Sequence, residues 1–223
     1  MDMPLNELAR DYESLASRAR AGDAEAAYKL YAATASCKDV AASEADLAGQ
    51  KKEIQRNAEN DKDREAQQHF AQEQFDRCSP LSMGQRREWL EWLAVAARLG
   101  NADAQLRYVR AATPTKGDSE KYWSDLESYR NTAAQYLDDQ IARGNVDALL
   151  TAASVYDANS NADLFKANSV THYAYLYAYA MATGEQAGVF FDKLARGQDV
   201  LSEQEKTKVQ ALGEEIYSKC CKH

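Results

Sequence analysis

Hydrophobic residues recur along most of this chain at intervals of three and four positions, which is the spacing of one face of an α-helix. The clearest example is WLEWLAVAARLG, which begins at Trp89 and places Leu93, Ala96 and Ala97 on one face. Similar spacing follows in NADLFKANSVTHYAYLYAYAMATG from Asn161 and in LSEQEKTKVQALGEEIYSK from Leu201. The pattern therefore predicts an all-α protein, with a C-terminal capping helix over about 202–218.

Alternating tyrosines in HYAYLYAYA place Tyr173 and Tyr177 on one helical face and Tyr175 and Tyr179 on the other. A helix with aromatic side chains on both faces is expected to lie between neighbouring helices. The alternative is that one tyrosine pair is exposed and serves as a binding anchor. The tryptophans are expected in the core: Trp89, Trp92 and Trp123.

Residues 41–77 break the amphipathic pattern, because they are polar almost throughout and contain few large apolar side chains. The segment is either a long solvated helix or a partly disordered excursion. We favour a helix with a break near 57–61, inserted into the first structural unit. Its large apolar residues are Leu47, Ile54, Phe70 and Phe75.

Three stretches read almost alike: AGDAEAAYKLY from Ala21, LGNADAQLRYV from Leu99 and RGNVDALLTAA from Arg143. In each, the glycine can end a helix in a left-handed conformation, and the following Asp or Asn can cap the next helix. A weaker copy contains Gly184. The later copies are separated by about 40 residues, and the first spacing is about twice as long because of the insertion. The repeats predict a stack of helical hairpins, each of which cannot bury its apolar face alone.

The composition is that of an ordinary globular protein, with 45% hydrophobic and 28% charged residues. Only three prolines and ten glycines occur, which favours helices. No apolar run reaches the roughly 20 residues that cross a bilayer, so no membrane insertion is expected. The net charge of −8 argues against a nucleic-acid partner and is compatible with a basic protein partner.

Cysteine positions bear on the cellular compartment. Cys37 closes the first helix of the first unit, and Cys78 precedes Pro80, where the second helix is expected to begin. These two points should be close in a hairpin, so we predict a Cys37–Cys78 disulfide and an oxidising compartment. The alternative is free thiols in a cytosolic protein. The adjacent Cys220 and Cys221 can pair with each other, pair with other chains or stay free.

The N-terminal residues lack the apolar segment of a signal peptide. The protein is therefore either cytoplasmic or the mature part of a periplasmic protein whose leader is absent, and the cysteines favour the periplasm.

No catalytic or cofactor-binding motif is recognisable. The sequence contains no phosphate-binding glycine loop, no His-Glu-x-x-His and no nucleophile elbow, and its three histidines are widely separated. A metal site at the terminal KCCKH is not expected, because a second ligand pair is missing and a chain terminus is a poor cage. The sequence therefore predicts a non-enzymatic protein without cofactor or metal.

We call the glycine-containing stretches at Gly22, Gly100, Gly144 and Gly184 the glycine joints. These joints and their flanking helices resemble the Sel-one-like repeat family, relatives of the tetratricopeptide repeats. The best copy is AARLGNADAQLRY over Ala96–Tyr108, and the resemblance extends from residue 20 to about 190. It implies a right-handed α/α superhelix, or solenoid, of about four hairpins that forms a single domain over 1–223 and binds proteins. Many bacterial relatives act in the cell envelope, and some are immunity proteins that neutralise secreted effectors.

The leading hypothesis is a monomeric, periplasmic protein-binding module, and its sharper form is an immunity protein against a secreted toxin. The alternative is a cytoplasmic assembly or regulatory scaffold with several protein partners. From the helix phase we expect outward side chains on the concave surface, with Tyr31 nearby: Lys29, Arg107, Arg110 and Thr151.

Overall fold

The computed structural model describes residues 5–111, 126–158, 165–196 and 201–221. Every regular element in these ranges is an α-helix, which confirms the prediction of an all-α protein. The helices are α1 (Leu5–Arg20), α2 (Ala24–Cys37), α3 (Glu44–Asn57), α4 (Asp61–Cys78), α5 (Met83–Arg87), α6 (Trp89–Arg98), α7 (Ala102–Arg110), α8 (Leu126–Ala142), α9 (Val146–Tyr156), α10 (Ser169–Ala182), α11 (Ala187–Arg196) and α12 (Glu203–Cys220).

The chain divides into two compact units, Met1–Ala104 and Gln105–His223. The expectation of one repeat domain over 1–223 stays a prediction. None of the described helices is long and apolar enough to cross a membrane.

The four glycine joints share one backbone geometry. Gly22, Gly100, Gly144 and Gly184 have φ values of 103°, 91°, 77° and 85°. At each joint the glycine N–H donates to the carbonyl three residues earlier, and the next N–H donates to the carbonyl five residues earlier. This pair of hydrogen bonds is the Schellman motif that ends a helix. The prediction that each glycine ends one helix before a tight turn is confirmed.

The residue after the glycine caps the next helix at three of these joints. Asp23 and Asn101 accept a hydrogen bond from the backbone N–H three residues later, at 3.0 and 2.8 Å. Asn145 accepts one from the N–H two residues later, at 3.1 Å. The sequence prediction of Asp or Asn caps is therefore confirmed.

In the first unit, α2 packs against α1 and α6, and the polar insertion forms an α3–α4 hairpin. The two helices are separated at residues 58–60, so the predicted helix with a break near 57–61 is confirmed. Leu47, Ala71 and Phe75 form the small apolar core of this hairpin. The helix expected at Pro80 begins later, at Met83, because Ser82 forms a capping box with Gln85.

In the second unit, α10 packs against α9 and α12, as expected for a helix with tyrosines on both faces. Tyr173 and Tyr177 join one apolar cluster, and Tyr175 and Tyr179 pack against another. Gly213 allows α12 to approach closely, since a Cβ there would lie 2.5 Å from Tyr177 Cδ1. Trp123, which was expected in the core, lies outside the described residues.

Candidate functional site

Two residues of the predicted partner surface lie on α2 in the first unit. Lys29 is partly buried, and its Nζ lies 3.9 Å from Glu25 Oε1, one helical turn away. Tyr31 is also partly buried, with its ring centroid 5.7 Å from that of Tyr28. Both side chains retain some exposure, and their role in binding stays a prediction.

The other predicted residues lie in the second unit, where Arg107 and Arg110 are exposed. Arg110 Nη2 donates to Thr151 Oγ1 at 2.7 Å, so the structure brings these two residues together. Thr151 is completely buried and donates to the carbonyl of Asp147 at 3.0 Å. The outward position expected for Thr151 is therefore wrong. The Ala- and Leu-rich α9 is buried on several faces, so helix phase alone could not identify an outward face.

The base of the α3–α4 hairpin is closed by a disulfide between Cys37 and Cys78. Their Cα atoms lie 5.5 Å apart, and both residues are fully buried. The bridge joins the last residue of α2 to the last residue of α4. The sequence predicts this pair, because the end of the helix at Cys37 and the start of the next helix after Cys78 are expected to be close in a helical hairpin.

Arg86 is buried beside this bridge, and only 2% of its surface is exposed. Its guanidinium has no acidic partner among the described residues and instead donates to backbone carbonyls. Nη2 reaches Cys78 at 2.6 Å, Nε reaches Leu81 at 3.1 Å, and Nη1 reaches Val40 and Ala41, each at 3.1 Å. Arg86 therefore ties together the segments that enter and leave the hairpin. Nothing in the local sequence distinguishes it from the neighbouring Arg87.

A second buried polar cluster in the first unit is structural. Tyr12 donates to the carboxylate of Glu88, and Trp92 Nε1 donates to Tyr12 Oη at 3.0 Å and to Glu88 Oε2 at 3.1 Å. Burial and the hydrogen bond to Glu88 raise the pKa of Tyr12 well above its usual range. These groups bond one another, so the cluster links α1 to the first turn of α6.

The outer part of the hairpin carries an open apolar groove of about 400 Å³. Phe70 is 61% exposed, the largest value among the large apolar side chains that the structure describes. The two helices are cross-linked by polar contacts, with Lys51 Nζ donating to Gln72 Oε1 at 2.5 Å. The lining residues are Gln50, Ile54, Ala66, Gln67, Phe70 and Ala71.

A deeper cleft of about 530 Å³ lies between α8, α10 and α12 in the second unit. Its polar groups come from residues far apart in the chain, so no local sequence pattern indicates the cleft. Lys219 Nζ is paired with Glu215 Oε1 at 2.6 Å. The lining residues are Asp138, Ile141, Ala142, Thr171, Tyr175, Leu212, Glu215, Ile216 and Lys219.

The two titratable groups that matter most in this cleft are shifted by their surroundings. Burial raises the pKa of Tyr175 to about 12, and the nearby Tyr156 and Asp138 act in the same direction. Burial and the charge of Asp139 raise the pKa of Asp138, which Lys219 opposes. The shift in the pKa of Asp138 reflects partial burial as well as excess negative charge, and the charged side chains of the cleft, Asp138, Glu215 and Lys219, remain exposed at its edge.

Cys220 and Cys221 are joined to each other at the end of α12, close in sequence to the cleft residue Lys219. Cys220 is fully buried, and its carbonyl oxygen lies 3.3 Å from where a Cβ would stand at Gly144. Within the described ranges, no three His, Cys, Asp or Glu residues are grouped so that they could hold a metal ion.

No protein-family model, curated protein or solved structure matches this chain significantly. The resemblance to Sel-one-like repeats therefore depends on the residues of the glycine joints.

Proposed function

We propose that this protein is a non-enzymatic protein–protein interaction module of the bacterial cell envelope, and that it acts as an immunity protein that binds and neutralises a secreted effector. The exposed Phe70 groove on the α3–α4 hairpin is the observation that carries this proposal. Exposed aromatic side chains in apolar pockets with polar rims are the usual anchors of protein interfaces.

The hairpin is suited to presenting such an anchor. Its base is held by the Cys37–Cys78 bridge and by Arg86, and its helices are cross-linked at Lys51. A fixed base lowers the entropy that is lost when a partner binds. The groove is shallow and open, which suits an apolar side chain of a protein partner.

The glycine joints support a repeat architecture for the rest of the chain. We propose a right-handed α/α solenoid of Sel-one-like hairpins that is monomeric in solution. Lys29, Tyr31 and Arg107 are further candidate contacts, because they retain exposure and lie on the expected helices. The buried disulfide supports a periplasmic location, since oxidised structural cysteines are typical of oxidising compartments.

The function can be tested by neutralisation in a test bacterium. Candidate secreted effectors are expressed in the periplasm, with and without the protein, and growth is measured. We expect growth to be restored by a direct complex that buries about 1,600 Å². Growth inhibition that persists beside every such effector would contradict the immunity proposal.

The contact element is tested in the same complex. Phe70→Ala should weaken binding by at least about tenfold, as expected for an interface anchor. Met83→Ala is the matched control, because Met83 is also exposed but lies outside the hairpin. Reversing the charges along residues 51–65 should also weaken the complex. Unchanged affinity in both hairpin variants would remove the hairpin from the proposal.

The proposed monomeric state is tested by gel filtration of the free protein.

The compartment is tested by counting thiols in protein isolated from its native host. Oxidised Cys37 and Cys78 would support an envelope location. Free thiols at both positions would instead favour the cytoplasmic scaffold.

A further inference from the structure

The cleft between α8, α10 and α12 contains an unbalanced carboxylate. Lys219 is engaged by Glu215, so this pair is already neutral. In the part of the chain that the structure describes, Asp138 forms neither a hydrogen bond nor an ion pair. The charge of Lys219 acts on it without direct contact, and its neighbour Asp139 adds a second negative charge. The cleft therefore favours a cation and disfavours an anion.

The remaining walls of the cleft are apolar and aromatic. Ile141, Leu212 and Ile216 supply aliphatic surface, and Tyr175 supplies an aromatic ring. The Tyr175 ring stacks on Tyr156, with centroids 5.9 Å apart and planes at 10°, which fixes its orientation. A cation placed between an oriented aromatic ring and a carboxylate is attracted by the face of the ring and by the negative charge of the carboxylate.

We propose that this cleft binds an alkylammonium or guanidinium group on an aliphatic stem. The cation pairs with Asp138 beside the Tyr175 ring, and the stem lies against Ile141, Leu212 and Ile216. A lysine or arginine side chain of a protein has this chemistry, and so does a free amine. The cleft volume of about 530 Å³ lies within the usual range for small-ligand sites.

This site is independent of the hairpin groove, because all of its residues belong to the second unit. Hairpin variants should leave cation binding unchanged, so a failure of the proposed function and a failure of this proposal can be told apart.

The test is an NMR titration of the ¹⁵N-labelled full chain with three probes: 1,5-diaminopentane, Nα-acetyl-arginine methylamide and hexanoate. We expect both cations to shift amide resonances of α8, α10 and α12, and hexanoate to leave them in place. Tighter binding of the blocked arginine would identify a protein side chain as the source, and tighter binding of the diamine would identify a free amine.

Variants connect the binding to the named groups. Asp138→Asn should weaken cation binding by at least about tenfold, as expected for the loss of a charged hydrogen bond. Asp139→Asn makes the same change in net charge without altering a lining residue, and it should change affinity less than about threefold. Lys219→Gln frees Glu215 and should tighten binding. Because Lys219 is exposed, its substitution should not affect folding, and the test remains valid if Asp138→Asn lowers stability.

Three results would overturn the proposal. They are equal affinities of the Asp138 and Asp139 variants, hexanoate shifts as large as those of the cations, or no cation shifts at millimolar concentrations.

Discussion

Arg86 Nη2 donates a hydrogen bond to the carbonyl oxygen of Cys78 at 2.6 Å, at the residue whose Sγ is bonded to Cys37. Cys78 is thus held both by a covalent bond and by a buried cation. Since α4 ends at Cys78, this carbonyl has no intrahelical partner, and it accepts from the Leu81 N–H at 3.0 Å as well as from the arginine. The base of the hairpin therefore depends on the disulfide and on the Arg86 hydrogen bonds, and each can be removed separately by substitution.

Arg86→Ala should destabilise the protein by on the order of 3 kcal/mol, because the carbonyl oxygens of Val40, Ala41 and Leu81 lose the arginine donors at this site. The Cys78 carbonyl keeps the Leu81 N–H as a donor. Arg86→Lys should recover only part of this loss, since an ammonium cannot reproduce the planar fork of donors. Urea unfolding followed by circular dichroism measures both values. The neighbouring Arg87→Ala is the control, and equal stabilities of the two alanine variants would contradict the role given to Arg86.

Removal of the Cys37–Cys78 bridge should lower the free energy of unfolding by about 4 kcal/mol in the chain-entropy treatment of a loop of this size. The measurement compares the Cys37→Ala/Cys78→Ala variant with wild type in urea. The Cys220→Ala/Cys221→Ala variant should lose far less, because its bridge closes no chain segment. The reverse order would show that chain entropy is not the main effect of the first bridge.

The glycine joints should respond to alanine according to their backbone conformation. Gly100→Ala should cost on the order of 1 kcal/mol, because a positive φ strains an L-residue even where space is open. Gly144→Ala should cost more, since its Cβ would also lie 3.3 Å from the Cys220 carbonyl. Gly49→Ala lies inside α3 in open space and should instead stabilise by about 0.5–1 kcal/mol. Thermal unfolding gives this order, and a stabilising Gly100→Ala would contradict it.

Asp23 should make part of the stability depend on pH. The Ala26 amide, followed by Arg18, holds the pKa of this carboxyl below its usual value of about 3.9. A lowered native pKa means that the stabilisation is complete above about pH 4 and is lost as the pH falls through the native pKa.

Asp23→Asn is the matched variant for this effect, since asparagine caps the equivalent helices at residues 101 and 145. It should keep the cap and remove this pH dependence. Urea unfolding between pH 2 and pH 6 checks the result, and identical pH profiles for the two proteins would exclude Asp23 as the titrating group.

The sequence predicted the local features of this fold better than its tertiary features. Gly100 and Asn101 act through their own backbone and side chain, so a short motif was sufficient to predict the joint. Thr151 was misplaced because its burial depends on helices distant in the chain. Arg86 and Asp138 have no local signature, since one acts on carbonyls of other segments and the other faces residues on α10 and α12.

The two ends of the α3–α4 hairpin are held at Cα atoms only 5.5 Å apart. A segment attached at one point can change in length and sequence while the helices beside it keep their positions, because closing a longer loop costs little additional entropy. The hairpin is therefore attached in a way that allows another hairpin to replace it. Under the proposed function, grafting a different hairpin between Cys37 and Cys78 is expected to alter partner choice while α1, α2 and α6 remain folded.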